Sequence, residues 1–237
     1  MNQPEPEIEQ IVARNYAGVV ERVAAAAKRA GRPPGAVRIV AVTKYARLEW
    51  LKALVNLGQR DLGESRPQQL VERAALVGPD VQWHLIGSLQ RNKVRKVLPL
   101  TCLVHSVDSL RLLAAIGRLA EELDLWPRVL LEVNLTGEET RHGFTGTELL
   151  HGWPEIAACR HVRVEGLMTM AALSEDPETS RPTFAELCDL RELLIEDPHT
   201  THPPCELSMG MSGDFEVAIE EGATLIRVGS ALWEGLT

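Results

Sequence analysis

Lysine is scarce in this chain. Of its 25 Lys and Arg residues, only Lys28, Lys44, Lys52, Lys93 and Lys96 are lysines. Aromatic residues make up 4%, and the only tyrosines are Tyr16 and Tyr45. The four cysteines, Cys102, Cys159, Cys188 and Cys205, show no Cys-x-x-Cys spacing and are too few for a disulfide scaffold, so reduced, mostly packed thiols are expected. No apolar run approaches ~20 residues, which leaves no candidate membrane span. Residues 1–10 are acidic and contain proline, without the basic and apolar regions of a signal peptide. A basic excess is missing too: the net charge of −8 and pI near 5.4 argue against a general nucleic-acid binder. They favour a soluble, cytoplasmic protein. Neither GxxxxGK[ST] nor GxGxxG occurs, and there is no GxSxG. Ser106 with Asp108 offers no general-base arrangement. His199 and His202 lie in a proline-rich loop without ligands at metal spacing, so no metal site is expected.

What is present is an alternation. The chain has 237 residues, 45% hydrophobic and 24% charged, about the length of one α/β barrel. Residues 7–30 read as an amphipathic helix with Ile8, Ile11, Val12, Tyr16, Val19, Val20 and Val23 on its apolar face, stopped by Gly31, Pro33, Pro34 and Gly35. Strands are predicted at 38–43, 61–64, 82–86, 103–106, 128–135, 162–168, 206–208 and 224–228. Helical patterns lie between them at 48–57, 67–77, 91–97, 109–123, 146–158, 179–196 and 213–220. Residues 174–181 and 197–204 read as exposed loops. Eight short strands separated by helices, without a compositional break, predict a single (β/α)8 TIM barrel over about 37–237 with an additional N-terminal helix, all one domain over 1–237. A doubly wound open sheet is the alternative.

In such a barrel all strand C-termini face one mouth, where ligands bind. The residues at those ends are Lys44, Glu64, His84 with Gly87, His105 with Ser106, Asn134, Met168, Ser208 and Arg227. They include one nucleophilic amine and no compact carboxylate cluster, which gives little support to Mg²⁺ chemistry. Two turns of small residues follow the last two strands, Ser208-Met209-Gly210-Met211-Ser212-Gly213 and Val228-Gly229-Ser230. Glycine lets main-chain N–H groups approach an anion, and serine adds hydroxyl donors. Ser212, Gly229 and Ser230, with Ser208 as a weaker member, therefore form a candidate phosphate cradle, although Ser212 could equally cap a helix starting near Asp214. A chain that writes most of its cations as arginine keeps a lysine where the first barrel strand ends. Arginine forms no Schiff base at neutral pH, whereas a lysine amine does. Lys44 with the cradle points to pyridoxal phosphate held as an aldimine; a surface lysine is the plain alternative. Arg227, amid the apolar residues Ile226 and Val228, needs a partner. That partner is either a barrel carboxylate such as Glu64 or Glu132, or the pyridine nitrogen of the cofactor. The run Arg91-Asn92-Lys93-Val94-Arg95-Lys96 reads as a solvated helix face, with an anion site or a partner surface as alternatives.

These residues resemble the pyridoxal phosphate homeostasis proteins, which are similar to the N-terminal barrel of alanine racemase. The likeness is carried by Ala41-Val42-Thr43-Lys44, Leu62-Gly63-Glu64, Trp83-His84-Leu85-Ile86-Gly87 and Val104-His105-Ser106-Val107-Asp108. Glu132-Val133-Asn134, His142-Gly143-Phe144, Gly166-Leu167-Met168 and the stretch 207–235 extend it. The resemblance implies an alanine racemase N-terminal-domain-like barrel with the cofactor on Lys44. It implies phosphate contacts at Ser212, Gly229 and Ser230, with Arg227 near the pyridine nitrogen and Asn134, Met168 and Ser208 around the cofactor. It also implies vitamin B6 homeostasis without established turnover, so no residue is assigned a catalytic role. Alanine racemases carry a second domain that supplies a tyrosine acid/base, whereas Tyr16 and Tyr45 both lie near this chain's start. A slow racemase or other aldimine-dependent enzyme is the alternative. Pyridoxal-phosphate-dependent apoenzymes are expected partners, and the protein is expected as a monomer or weak homodimer without nucleic-acid or membrane partners. Ser65, Arg66, Ser88 and Arg141 depart from the usual family residues.

Overall fold

The computed structural model describes residues 5–138 and 141–236. Helix α1 (Glu5–Arg29) has acidic residues in its first turn and Lys28 and Arg29 in its last, the arrangement that complements the helix dipole. Ile8, Val12, Val19, Val23, Ala26 and Ala27 recur at helical spacing and are buried. The helix stops where Gly31 turns to φ +65° and the Arg32 N–H returns to the Ala27 carbonyl at 2.8 Å.

Eight parallel strands then alternate with helices. They are β1 (Arg38–Val42), α2 (Leu48–Asn56), β2 (Asp61–Glu64), α3 (Pro67–Val77), β3 (Gln82–Leu85), α4 (Val94–Val97), β4 (Thr101–Val107) and α5 (Leu110–Glu122). There follow β5 (Arg128–Glu132), α6 (Gly146–Ala157), β6 (Arg163–Met168), α7 (Arg181–Glu196), β7 (Glu206–Ser208), α8 (Phe215–Glu220), β8 (Leu225–Val228) and α9 (Ser230–Trp233). The strands pair in chain order, and β8 closes on β1 with Ala41 opposite Val228. This is the predicted closed barrel, not the open sheet.

Val40, Leu103, Leu130, Met168 and Leu225 fill the barrel interior, while a larger apolar cluster lies between strands and helices. Helix α1 packs against α2, α8 and α9. Asn15 donates to the carbonyls of Leu232 and Glu234 at 3.2 and 2.9 Å, and Arg22 and Arg29 pair with Glu216 and Glu220 on α8. The N-terminal helix thereby braces the last two βα units.

Several boundaries differ from those read in the sequence. Strand β5 ends at Glu132 rather than 135, because Asn134 Oδ1 accepts from the Thr136 N–H at 3.2 Å and turns the chain. Residues 91–97 form a 3₁₀ turn at Arg91–Lys93 followed by the one-turn α4. The loop expected at 174–181 contains a 3₁₀ turn at Pro177–Ser180. No helix among the described residues is long and apolar enough to cross a membrane.

Candidate functional site

A cavity of about 590 Å³ opens beyond the C-terminal ends of β1 and β8, lined by Lys44, Tyr45, Met211, Ser212, Asp214, Arg227, Gly229, Ser230 and Trp233 among others. Five of the predicted site residues thus share one space: Lys44, Ser212, Arg227, Gly229 and Ser230. Each is positioned by a local feature of the chain.

Beyond β1, Thr43 is fully buried and donates through Oγ1 to Glu64 Oε1 at 2.7 Å. The Ala46 N–H closes a turn onto the Thr43 carbonyl at 2.8 Å, and Lys44 is exposed on that turn. Its Nζ lies 5.0 Å from the centroid of the Tyr45 ring. Arg73, on α3, donates to Glu64 at 2.5 Å, to the Ala46 carbonyl at 2.8 Å and to the Thr43 carbonyl. Glu64 is therefore a brace for the lysine turn, not a cavity group. Sequence reasoning missed Arg73. Its one signal was Glu64 itself, a carboxylate at a buried strand end that needs a cation.

On the opposite side the chain leaves β7 through Gly210, at φ +89°, whose carbonyl accepts from the Arg227 N–H at 2.9 Å. Asp214 holds the turn by accepting from the Met211 N–H at 2.6 Å and from Ser180 Oγ at 3.1 Å. Ser212 does not cap α8. Its Oγ accepts from the N–H groups of Gly229 and Ala231 at 3.1 and 3.4 Å. Two main-chain donors of residues 229–231 thus hold the Ser212 oxygen in place and leave its own hydrogen free to donate, and Ser230 lines the same cavity. Hydroxyl donors of this kind suit an anion. Trp233, also unsuspected from sequence, donates from Nε1 to the Val42 carbonyl at 2.9 Å and packs beside Trp50, ring centroids 6.2 Å apart. It ties the cradle to the end of the lysine strand.

Arg227 is 5% exposed. Neither Glu64 nor Glu132 pairs with it, contrary to the ion-pair alternative. Its Nη1 donates to Ser208 Oγ at 2.7 Å and its Nη2 to the Thr169 carbonyl at 2.9 Å. Burial lowers its pKa to about 10, against the opposing pull of Asp214 and Glu132, so it stays a cation at neutral pH. Glu132 is pushed the other way, up to about 7, by burial and by Asp108, with Arg227 opposing.

Three expected contacts lie elsewhere. Met168 belongs to the apolar layer inside the barrel. Ser208 is fully buried beneath Arg227. Asn134 organises its own loop, donating to the carbonyls of Glu138 and Arg141 at 2.9 and 3.3 Å. None of the three lines the cavity. His84 and His105 are buried in the barrel and do not line it either. Of the family departures, Ser65, Arg66 and Ser88 line a separate surface cavity, and Arg141 donates to the carbonyls of Met170 and Ala171 at 2.7 and 3.1 Å. Within the basic run, Arg95 pairs with Glu122. Among the described residues no group of three His, Cys, Asp or Glu side chains could hold a metal ion.

The family described as the alanine racemase N-terminal domain matches residues 12–236. A pyridoxal phosphate homeostasis protein of Aquifex aeolicus is 38% identical over 216 residues, 91% of this chain and 94% of that protein. The chain belongs to the pyridoxal phosphate homeostasis protein family. Among solved structures, a protein of unknown function from Bifidobacterium adolescentis superposes with a TM-score of 0.91 at 34% identity, covering 98% of both chains. PipY of Synechococcus elongatus with pyridoxal phosphate bound superposes at 0.79 with 34% identity, over 90% of this chain and 99% of that one. The pyridoxal phosphate homeostasis fold thus extends over nearly the whole described chain.

Proposed function

We propose that this chain binds pyridoxal 5'-phosphate in the cavity at the barrel mouth, with Lys44 as covalent anchor, and serves intracellular vitamin B6 homeostasis. One observation carries this reading. The sole lysine lining the cavity and the serines of two small-residue turns, Ser212 and Ser230, share the same 590 Å³ space. Membership of the family, and PipY with the cofactor bound, support it.

When bound, the cofactor supplies an aldehyde for attachment and an electron-withdrawing ring. The chain's residues do the rest. Thr43, Glu64 and Arg73 fix the turn that presents the Lys44 amine. Ser212, held by the N–H groups of Gly229 and Ala231, would offer its own hydroxyl hydrogen to the phosphate together with the Ser230 hydroxyl. Arg227, a cation at neutral pH, would stand near the pyridine nitrogen and disfavour its protonation, which would weaken the ring as an electron sink. That is the wrong polarity for transamination and suits retention.

A carrier role also fits the titratable groups that line the cavity: Lys44, Tyr45, Asp214 and Arg227. Asp214 is occupied by Met211 and Ser180, and Arg227 by Ser208 and Thr169. Tyr45 is the chain neighbour of Lys44 and is 76% exposed. Tyr45 meets the lysine amine through its ring, 5.0 Å from Nζ, and Asp214 is engaged elsewhere, an arrangement that gives little support to two-sided proton exchange. With Lys44, Tyr45 and Leu173 exposed at the mouth, the cofactor is accessible for transfer to apoenzymes from a monomer or weak homodimer.

The test is to load the purified protein with pyridoxal phosphate and incubate it with a panel of amino acids in D₂O. Retained cofactor without deuterium at any α-carbon is the expected result. Turnover that disappears in Lys44→Ala would replace the carrier role with an enzyme.

A further inference from the structure

Four buried or half-buried polar side chains cross the barrel in single file below Arg227. Ser208 Oγ, which accepts from Arg227, lies 2.8 Å from His105 Nδ1. His105 Nε2 lies 2.9 Å from His84 Nδ1. His84 Nε2 lies 2.9 Å from Asp61 Oδ1. Asp61 begins β2 at the floor of the barrel and, with its side chain 28% exposed, lines a second cavity of about 700 Å³ beside Tyr16, Arg38 and Gln59. His84, His105 and Ser208 are 0% exposed. The file therefore connects a solvent-reached carboxylate at one end of the barrel to the guanidinium at the other.

The proton count gives the file a direction. Arginine only donates, and an ionised carboxylate only accepts. Asp61 therefore takes the hydrogen of His84 Nε2, which leaves Nδ1 of the neutral ring as an acceptor. His105 must then donate to it from Nε2 and accept at Nδ1. Ser208, which accepts from Arg227 with one lone pair, gives its own hydrogen to His105 Nδ1. Every donor and acceptor in the file is matched once, with both histidines neutral. Each histidine is held below its ordinary range, first by burial: His105 also by His84, Arg227 and Arg38, and His84 by Arg38 and Arg128 against the attraction of Asp61. The charged or titratable neighbours of Asp61 are His84, Arg38, Tyr16 and Cys102.

We infer that Asp61, His84, His105 and Ser208 are positioning residues for Arg227, forming a one-way hydrogen-bond relay whose direction is set by the Asp61 charge at the barrel floor. A proton taken up by His84 makes both of its nitrogens donors. His105 must then accept at Nε2 and donate from Nδ1, so Ser208 faces two donors, Arg227 and His105, and its own hydrogen is displaced. The state of the floor is in this way felt at the mouth. The consequence for the cofactor rests on the placement of Arg227 proposed above.

The test uses ¹⁵N-histidine-labelled full-length protein, without and with pyridoxal phosphate. Cofactor-free wild type is expected to show both histidines as neutral Nε2–H tautomers near pH 7. Asp61→Asn replaces an acceptor-only group with one that can also donate to His84, so both histidines are expected to gain a population of the Nδ1–H tautomer. Ser208→Ala leaves the His84 tautomer alone and cuts the last link. In the loaded protein both variants are expected to weaken cofactor retention about 2- to 10-fold, the span of one net hydrogen bond, and to move the pH midpoint of the cofactor absorption band. Nδ1–H tautomers in the wild type, or tautomers indifferent to Asp61→Asn, would overturn the relay. Tautomers as expected with retention and band unchanged in both variants would overturn its hold on Arg227. Wild type that takes up no pyridoxal phosphate would instead refute the functional proposal, and the tautomers alone would then decide the relay.

Discussion

Glu132→Gln should abolish one component of the protein's pH-dependent stability. Glu132 is 7% exposed, and burial together with Asp108 raises its pKa from 4.5 to about 7. Between those two values the folded protein holds a proton that the unfolded chain has released. Its contribution to stability is therefore complete below pH 4.5 and is lost as the pH climbs to about 7. The loss amounts to about 3 kcal/mol. His84 and His105 act with opposite sign. Their folded pKa values lie below the ordinary 6.5, so the unfolded chain takes up protons first and stability falls as the pH drops through that range. The two effects overlap, so the wild-type profile alone cannot separate them. The difference between wild type and Glu132→Gln does, because the amide keeps the shape and carries no titration. Urea unfolding at about pH 5 and about pH 8 is the assay, and the variant should gain about 2.5 kcal/mol on wild type between them, the remainder being lost already below pH 5. Parallel profiles would show that Glu132 is ionised like an exposed carboxylate and that its burial has been misjudged.

Other expectations follow from single contacts. Ser230→Ala should weaken cofactor retention by about 1.5–3 kcal/mol, the value of a hydrogen bond to a charged group, measured by equilibrium dialysis; equal retention contradicts the cradle. Gly210→Ala places a Cβ 2.6 Å from Ala218 Cβ and 2.9 Å from Phe215 Cα at φ +89°. It should cost about 1–3 kcal/mol by chemical denaturation, and an unchanged midpoint would show that the turn relaxes freely. Trp233→Phe removes the donor to the Val42 carbonyl and should cost about 1–3 kcal/mol, and no loss would mean that water replaces the indole.

The barrel was legible because parallel strands leave an imprint that survives without knowledge of contacts: short apolar runs, each followed by a helical period. Even β7, three residues long, could be placed from that rhythm. Boundaries were harder where one side chain decides them, as at Asn134, whose turn ends β5 early. Helix α9, four residues long, has no period to read. Lys44, Ser212, Arg227, Gly229 and Ser230 could be picked out because a barrel brings strand ends to one mouth. Ser208 and Met168 were picked by the same rule but point inward, one under Arg227 and one into the apolar layer. A strand end fixes where a residue sits along the barrel axis, and not which neighbour its side chain reaches across the interior. Hence a barrel carboxylate stayed open as one of two partners for Arg227, whereas the guanidinium stands on a hydroxyl and a carbonyl. Arg73 and Trp233 went unseen for the same reason, since each acts through a partner on another element.

The most direct measurement is absorption spectroscopy of the protein with pyridoxal phosphate before and after borohydride, followed by peptide mapping of the reduced product. A band near the visible edge that collapses on reduction, with the pyridoxyl group on Lys44, is the expected result. A protein that gives no band and no adduct when offered the cofactor would make Lys44 a surface lysine and contradict the proposed function.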